Sequence, residues 1–353
     1  MSKLSDYRAA TAPLPRTYLS WDLFGAGIEN LGRDSKPVEL PLRDPNDDEV
    51  LLRVDAIGLC FSDTKLIWGG PNHPRIIGRD LQKDPTVPGH EAAMTVVKVG
   101  KNNAGKFKVG NRYAIQADIY INGMQKAFGY VQRGALAQYV YAGPWVLNGD
   151  AGCYLLPLQD KTGYAEAALV EPWACVEASY VIPQRTAYKE GGAMLVAASS
   201  GAASVSLGGF KEKPAIIVTL GKPQIADIPA GVMVVDAGEA TPEAVAAASK
   251  QYAEGKGFDD LILLGAPATA MTEACDAALA YGGILCMIGI APSARIDIGR
   301  VHYNATRHVG ATAGNPKEIY ANNTRKDIKG GGACWMIGAA GPMGQMHVQR
   351  AIE

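Results

Sequence analysis

The sequence predicts an α/β chain in which a β-rich domain is followed by a doubly wound parallel sheet. Three observations carry this. Up to about residue 180 the chain consists of short β-like runs punctuated by Gly, Pro, Asn and Asp. From about residue 190, unbroken apolar runs alternate with helix-like stretches, the rhythm of strands buried on both faces. A length of 353 residues, 48% hydrophobic and 20% charged, suits two domains with proper cores.

In the first part, EVLLRVDAIGL (49–59), AAMTVVKVG (92–100), RYAIQAD (112–118) and AQYVYAG (137–143) are each bounded by turn residues. They read as a compact, barrel-like β domain with irregular loops. In the second part, AMLVAAS (193–199), PAIIVTL (214–220), VMVVDA (232–237), DLILLG (260–265), ILCMIG (284–289) and RHVGATA (307–313) read as buried strands. Helices are expected over 241–255 and 268–282. Thr241 is placed as N-cap with Pro242 at the first helical position, and Gly255 and Gly282 as stops. Alternation of this kind implies parallel pairing. The last stretch, from about 330, offers a buried strand (ACWMIG), a glycine turn and the opening of a helix. A lone strand and half a helix cannot bury their own apolar surface. Either they complete a sheet within the chain or the natural protein continues, and the second is the expectation. The domain reading is therefore 1–185, 186–325 and 326–353.

Charge narrows the function classes. Lys plus Arg number 34 and Asp plus Glu 35, a formal net charge of −1 without basic stripes, which gives no support for nucleic acid or an anionic membrane as partner. The amino end has no apolar core of signal-peptide length, and no apolar run approaches the roughly 20 residues of a membrane-spanning helix. Six scattered cysteines, at 60, 153, 175, 275, 286 and 334, read as reduced thiols. A cytoplasmic location is expected.

Residues competent to bind zinc recur at three places: Gly58-Leu-Cys60-Phe-Ser62-Asp63, Val87-Pro-Gly-His90-Glu91, and Leu169-Val-Glu171-Pro172. A catalytic zinc takes three protein ligands and leaves a position open for water or substrate. Singly, each has a plain structural explanation: a small core thiol, a turn with a hydrogen-bonded imidazole, an acid at a helix start. Their occurrence together in this order carries the argument.

GLCFSD, PGHE and LVEPWAC resemble the successive ligand motifs of the medium-chain dehydrogenase/reductase family, on its polyol dehydrogenase branch. Residues 116–130, 152–175 and 299–314 are similar to sorbose-1-phosphate reductase-like proteins. The resemblance implies a GroES-like catalytic domain beside a Rossmann-like sheet. It implies one zinc near Cys60, His90 and Glu171, with Glu91 as alternating or fourth ligand. Ser62 would bond the substrate hydroxyl and begin a proton relay, and Asp63 would orient His90 through its far nitrogen. In many relatives a His continues the relay where this chain has Lys65. Residues 100–150 lack the cysteines of a structural zinc lobe, so no second zinc is expected. The family implies NAD or NADP, hydride transfer at a polyol or sugar-phosphate alcohol, and dimers or tetramers. A zinc-free quinone-reductase-like enzyme and a catalytically weakened paralogue are the alternatives.

The Cys60-to-His90 spacing is long for that family, and the added loop (68–85) holds His73, Arg75, Arg79 and Lys83. Its cations suit a substrate phosphate, because guanidinium groups match phosphate oxygens; a merely solvated loop is the plainer reading. For the nucleotide there are two candidate turns. The one at Gly201 follows the first buried strand without a glycine triad, and a ribose-binding carboxylate is missing after Leu220. The other, Gly338-Ala-Ala-Gly341-Pro342-Met343-Gly344, has the better pattern: glycines that admit a pyrophosphate and a helix N-terminus that supplies amides. It is therefore placed as the opening of a second dinucleotide-binding unit.

Overall fold

The computed structural model describes residues 3–181, 184–199, 203–289, 293–322, 328 and 330–353. The chain divides into two compact units, Met1–Ser179 with Gly330–Glu353, and Tyr180–Lys329. No helix among the described residues is long and apolar enough to cross a membrane.

The first unit is built on an antiparallel sheet of β1 (Val50–Gly58), β2 (Glu91–Val99), β3 (Arg112–Ile115), β4 (Tyr139–Ala142) and β5 (Leu155–Pro157), in the order β4-β1-β2-β3-β5. Alternate residues share a face, so Val50 and Leu52 of β1 join Met94, Val96, Val140 and Leu155 in one core. The register of β1 with β2 sets Gly58 opposite Glu91. The chain thus leaves the sheet and re-enters it at the same end of two neighbouring strands. Between these points lie helix α1 (Phe61–Gly69) and a loop, packed by a second cluster of Leu23, Leu66, Ile67, Ile76, Leu81 and Tyr130. Two more helices follow β5, α2 (Tyr164–Ala168) and α3 (Val170–Val181).

The second unit has a six-stranded, wholly parallel sheet. Its strands are β6 (Ala193–Ala198), β8 (Ile216–Leu220), β10 (Met233–Asp236), β11 (Phe258–Leu264), β12 (Leu279–Ile288) and β13 (Arg307–Ala311). The spatial order β10-β8-β6-β11-β12-β13 is the 3-2-1-4-5-6 arrangement of dinucleotide-binding sheets. Both faces of its central strands are covered, as parallel sheets require. Leu195, Val218 and Leu261 face Val245 and Ala248 of helix α4 (Pro242–Tyr252) and Met271 and Cys275 of α5 (Thr269–Ala277). Met194, Val196 and Ile262 face the other way, onto Tyr188, Ile319 and Tyr320. Thr241 caps α4 by accepting from the amide of Ala244 at 3.2 Å, and Pro242 opens the helix. Helix α5 stops at Ala277, short of Gly282, because the chain is already pairing in β12 from Leu279.

One departure bears on function. Between β6 and β8 the described residues hold the short strand β7 (Ser204–Ser206) and no helix, and between β8 and β10 the strand β9 (Gln224–Ala226) and no helix. The two pair parallel with each other. Gly201 lies outside the described residues. The strand order of a nucleotide-binding sheet is therefore present, while the described residues show no crossover helices of the kind whose amino ends ordinarily meet the phosphates.

The tail also departs from expectation. ACWMIG forms no strand, and Trp335 and Ile337 are each 87% exposed. An apolar run becomes a strand only with a neighbour to pair, and none is offered among the described residues. A turn then leads into helix α6 (Pro342–Ile352), whose Arg350 pairs with Glu177 of α3 at 2.9 Å.

Candidate metal centre

The centre forms where β1 ends and β2 begins. Cys60 is the N-cap of α1, its backbone extended at φ −88°, ψ 148°. Three residues on, Asp63 reaches back so that its Oδ2 accepts from the Cys60 amide at 3.1 Å. This is a capping arrangement, and it fixes where the helix starts. The other oxygen of Asp63 faces the second motif: Oδ1 accepts from the Gly89 amide at 2.9 Å and lies 3.2 Å from Nδ1 of His90. One carboxylate, 3% exposed, thereby ties both ends of the excursion together.

Gly89 has φ +94°, and a Cβ there would stand 2.5 Å from Ile57 Cδ1 and 2.9 Å from the Leu136 amide nitrogen. Only glycine turns the chain so that the next residue aims inward. With Nδ1 of His90 on Asp63, Nε2 faces Ser62 and Cys60. The Ser62 hydroxyl donates to Cys60 Sγ at 2.9 Å and lies 3.4 Å from His90 Nε2. Glu91 follows on β2 and is 4% exposed. Cys60, His90 and Glu91 each offer a ligand atom, and these atoms all lie within 4.8 Å of one another.

The electrostatics are those of a cation site. Burial works against a charged imidazole at His90. The hydrogen bonds to Asp63 and Cys60 and the charges of Asp63 and Glu171 outweigh it and push the group up to about 10. Burial and the nearby Glu171 charge push the Glu91 carboxyl above its usual range. A proton is the smallest cation that relieves such crowding, and a divalent ion relieves it further.

The other residues singled out from the sequence are placed as follows. Glu171 stands in the first turn of α3, close enough for its charge to act on both His90 and Glu91, and accepts from the Cys175 thiol at 3.5 Å. It is outside the 4.8 Å set. Lys65 is exposed, with its ammonium 5.6 Å above the Phe61 ring, and is not brought to the cluster. Gly341 caps α6, with Pro342 and Met343 in its first turn, and Gly338 has φ +81°. A Cβ on Gly344 would fall 2.1 Å from the Gly338 carbonyl oxygen, so the helix sits tight on its own turn.

In the added loop, Arg79 is spent on the fold. It donates to the carbonyls of Asp84 at 2.9 Å and Val131 at 2.8 Å and pairs with the Asp84 carboxylate. Lys83 pairs with Asp80 at 3.3 Å. Arg75 pairs with Asp118 at 3.0 Å and lies 4.7 Å over the Tyr130 ring. Tyr130 carries no local signal, since it reaches the site only through the packing of distant segments, whereas Cys175 stands one turn along α3 from Glu171.

Gly58 is a further position that sequence left unmarked. A Cβ there would stand 2.0 Å from Glu91 Oε2. The obstructing atom is the far end of a flexible side chain, so the strand pairing survives substitution while the carboxylate must swing away. Gly58→Ala is expected to weaken zinc binding roughly 10-fold or more with little change in thermal stability, as measured by chelator competition and calorimetry. Unchanged zinc affinity would show that Glu91 is not needed where it stands.

Residues 46–148 match the alcohol dehydrogenase GroES-like domain. The first unit thus contains an alcohol dehydrogenase GroES-like domain. The chain is 27% identical over 326 residues to L-sorbose 1-phosphate reductase of Klebsiella pneumoniae, covering 82% of this chain and 75% of the relative. It is 25% identical over 302 residues to mannitol-1-phosphate 5-dehydrogenase of Aliivibrio fischeri, covering 77% and 70%. It is also 26% identical over 317 residues to the uncharacterized protein YggP of Escherichia coli, covering 81% and 73%. Over most of its length the chain is thus similar to polyol-phosphate oxidoreductases, and residues 46–148 carry the alcohol dehydrogenase GroES-like domain.

Proposed function

We propose that this chain is a zinc-dependent oxidoreductase that transfers a hydride between NAD(P) and a secondary alcohol of a polyol or sugar phosphate. The observation that carries the proposal is the convergence of Cys60, His90 and Glu91, whose ligand atoms lie within 4.8 Å of one another. A thiolate, an imidazole and a carboxylate make a donor set suited to a borderline-soft ion of the zinc type. Zinc in that set supplies Lewis acidity, which lowers the pKa of an alcohol oxygen.

The chain's own groups do the rest. Asp63 holds the His90 ring by Nδ1, so that Nε2 is the nitrogen presented to the ion. Ser62 is the hydroxyl beside Cys60 and His90, and it is the group proposed to take the alcohol proton. Glu171 is proposed as the exchangeable carboxylate. For the cofactor, the amides that open α6 at Gly341 to Gly344 are proposed to meet the pyrophosphate. That assignment is supported by the positive φ of Gly338 and the close seating of Gly344. The relatives named for sorbose 1-phosphate and mannitol 1-phosphate support a phosphorylated polyol as substrate. Association into dimers or tetramers rests on family resemblance.

That the described residues between β6, β8 and β10 hold no helix favours a second reading, a paralogue that keeps the metal and has lost turnover. Metal analysis, NADH and NADPH fluorescence titration, and a panel of polyols with their phosphate esters decide between them. Bound zinc with cofactor-dependent oxidation supports the enzyme. Zinc without cofactor binding supports the paralogue, and a zinc-free protein overturns both.

A further inference from the structure

We infer that Tyr130 is a positioning residue of the metal centre, its ring fixing the His90 imidazole and its hydroxyl fixing Ser62. The inference rests on the zinc reading above.

Holding His90 at Nδ1 leaves the ring free to swing about that hydrogen bond. A second restraint is needed on its face, and Tyr130 provides it: the two ring centroids are 5.6 Å apart at 37°. Tyr130 is itself immobilised. It is 3% exposed and packs with Leu66, Ile76 and Leu81. His73 stacks on it with centroids 5.4 Å apart at 29°, and the Arg75 guanidinium lies 4.7 Å over the ring. Its carbonyl accepts from Thr86 Oγ1 at 2.6 Å and from Arg79 at 3.3 Å. The added loop therefore has a structural purpose at the metal: His73, Arg75 and Arg79 all brace the residue that braces His90.

The hydroxyl has a separate part. Ser62 lies in reach of three groups: Cys60 Sγ, His90 Nε2 and the Tyr130 hydroxyl. Once sulfur and imidazole give their lone pairs to an ion, Tyr130 is the partner among these three that still orients Ser62 toward an alcohol oxygen.

The test needs no turnover. Zinc affinity is read by competition with a chromophoric chelator. Affinity for trifluoroethanol, an unreactive alcohol, is read from the visible absorption of the cobalt-loaded protein. Tyr130→Phe keeps the ring and is expected to bind zinc within about threefold of wild type. Its trifluoroethanol affinity should drop roughly 10-fold, and Ser62→Ala should then add little to that loss. Tyr130→Leu is expected to lose zinc affinity roughly 10-fold or more. Should it fail to fold, Tyr130→Met, of similar volume, takes its place. Wild-type zinc affinity in the non-aromatic variant overturns the role of the ring. Wild-type alcohol affinity in Tyr130→Phe, or a full further loss on Ser62→Ala, overturns the role of the hydroxyl. A wild-type protein that binds cobalt yet no alcohol overturns the dehydrogenase reading and with it the hydroxyl's role, while zinc affinity still judges the ring.

Discussion

Cys60→Ser is expected to leave the protein folded and nearly free of zinc. The thiolate is the strongest zinc donor of the three, and a serine hydroxyl is neither deprotonated nor soft enough to replace it. In the fold, Cys60 contributes a helix cap and an acceptor for the Ser62 hydroxyl, and a serine oxygen can serve as both. Structure and chemistry are therefore separable at this one position. Zinc content should fall from about one ion per chain to a small fraction of that. Affinity should drop by more than the roughly 10- to 100-fold that loss of an outer partner costs. Plasma emission analysis with circular dichroism on the same sample checks both halves. Full zinc content in Cys60→Ser would remove the basis of the proposed function.

Asp63→Ala is expected to damage fold and site together. It removes the α1 cap, costing about 1 kcal/mol. It also leaves the buried Gly89 amide without its acceptor, costing about 1–3 kcal/mol. In addition His90 loses the anchor on Nδ1, for a further roughly 10- to 100-fold in zinc affinity. Asp63→Asn separates these contributions. A carboxamide keeps one acceptor oxygen, enough for the Gly89 amide or the Cys60 amide but not both, so only part of the stability should return. Without a full negative charge facing the imidazole, zinc affinity should not. Denaturant melts and chelator competition on the two variants read the difference. Equal zinc affinity in wild type and Asp63→Asn would mean that orientation, not charge, is what Asp63 provides.

The fold was legible wherever local pattern coincides with burial. The runs at 193–199, 214–220 and 260–265 are almost wholly apolar because both faces of a central parallel strand are covered, and each contains a strand. Thr241 and Pro242 announced a helix start in local chemistry. Helix α1 went unread because its nine residues bury only Asp63, Leu66 and Ile67, too few to show a period. ACWMIG misled for the opposite reason: a strand is a relation between segments, and apolar content does not supply the neighbour. At the site, the residue types at 60, 90 and 91 could be nominated because each sits in a short motif. Tyr130 could not, since its meeting with His73 and His90 depends on how three loops pack.

The chain departs from the first sheet after Gly58 and rejoins it at Glu91, and both rims of this excursion carry donors. An ion gripped from both rims acts on the unfolded ensemble as a cross-link does, subtracting the freedom of some thirty residues. The metal centre is therefore also a clasp. With the ion stripped by a chelator, Asp63 and the Ser62 hydroxyl are polar ties left between the rims. The segment between them should become the first part of the unit that a protease can cut, and added zinc should close it again.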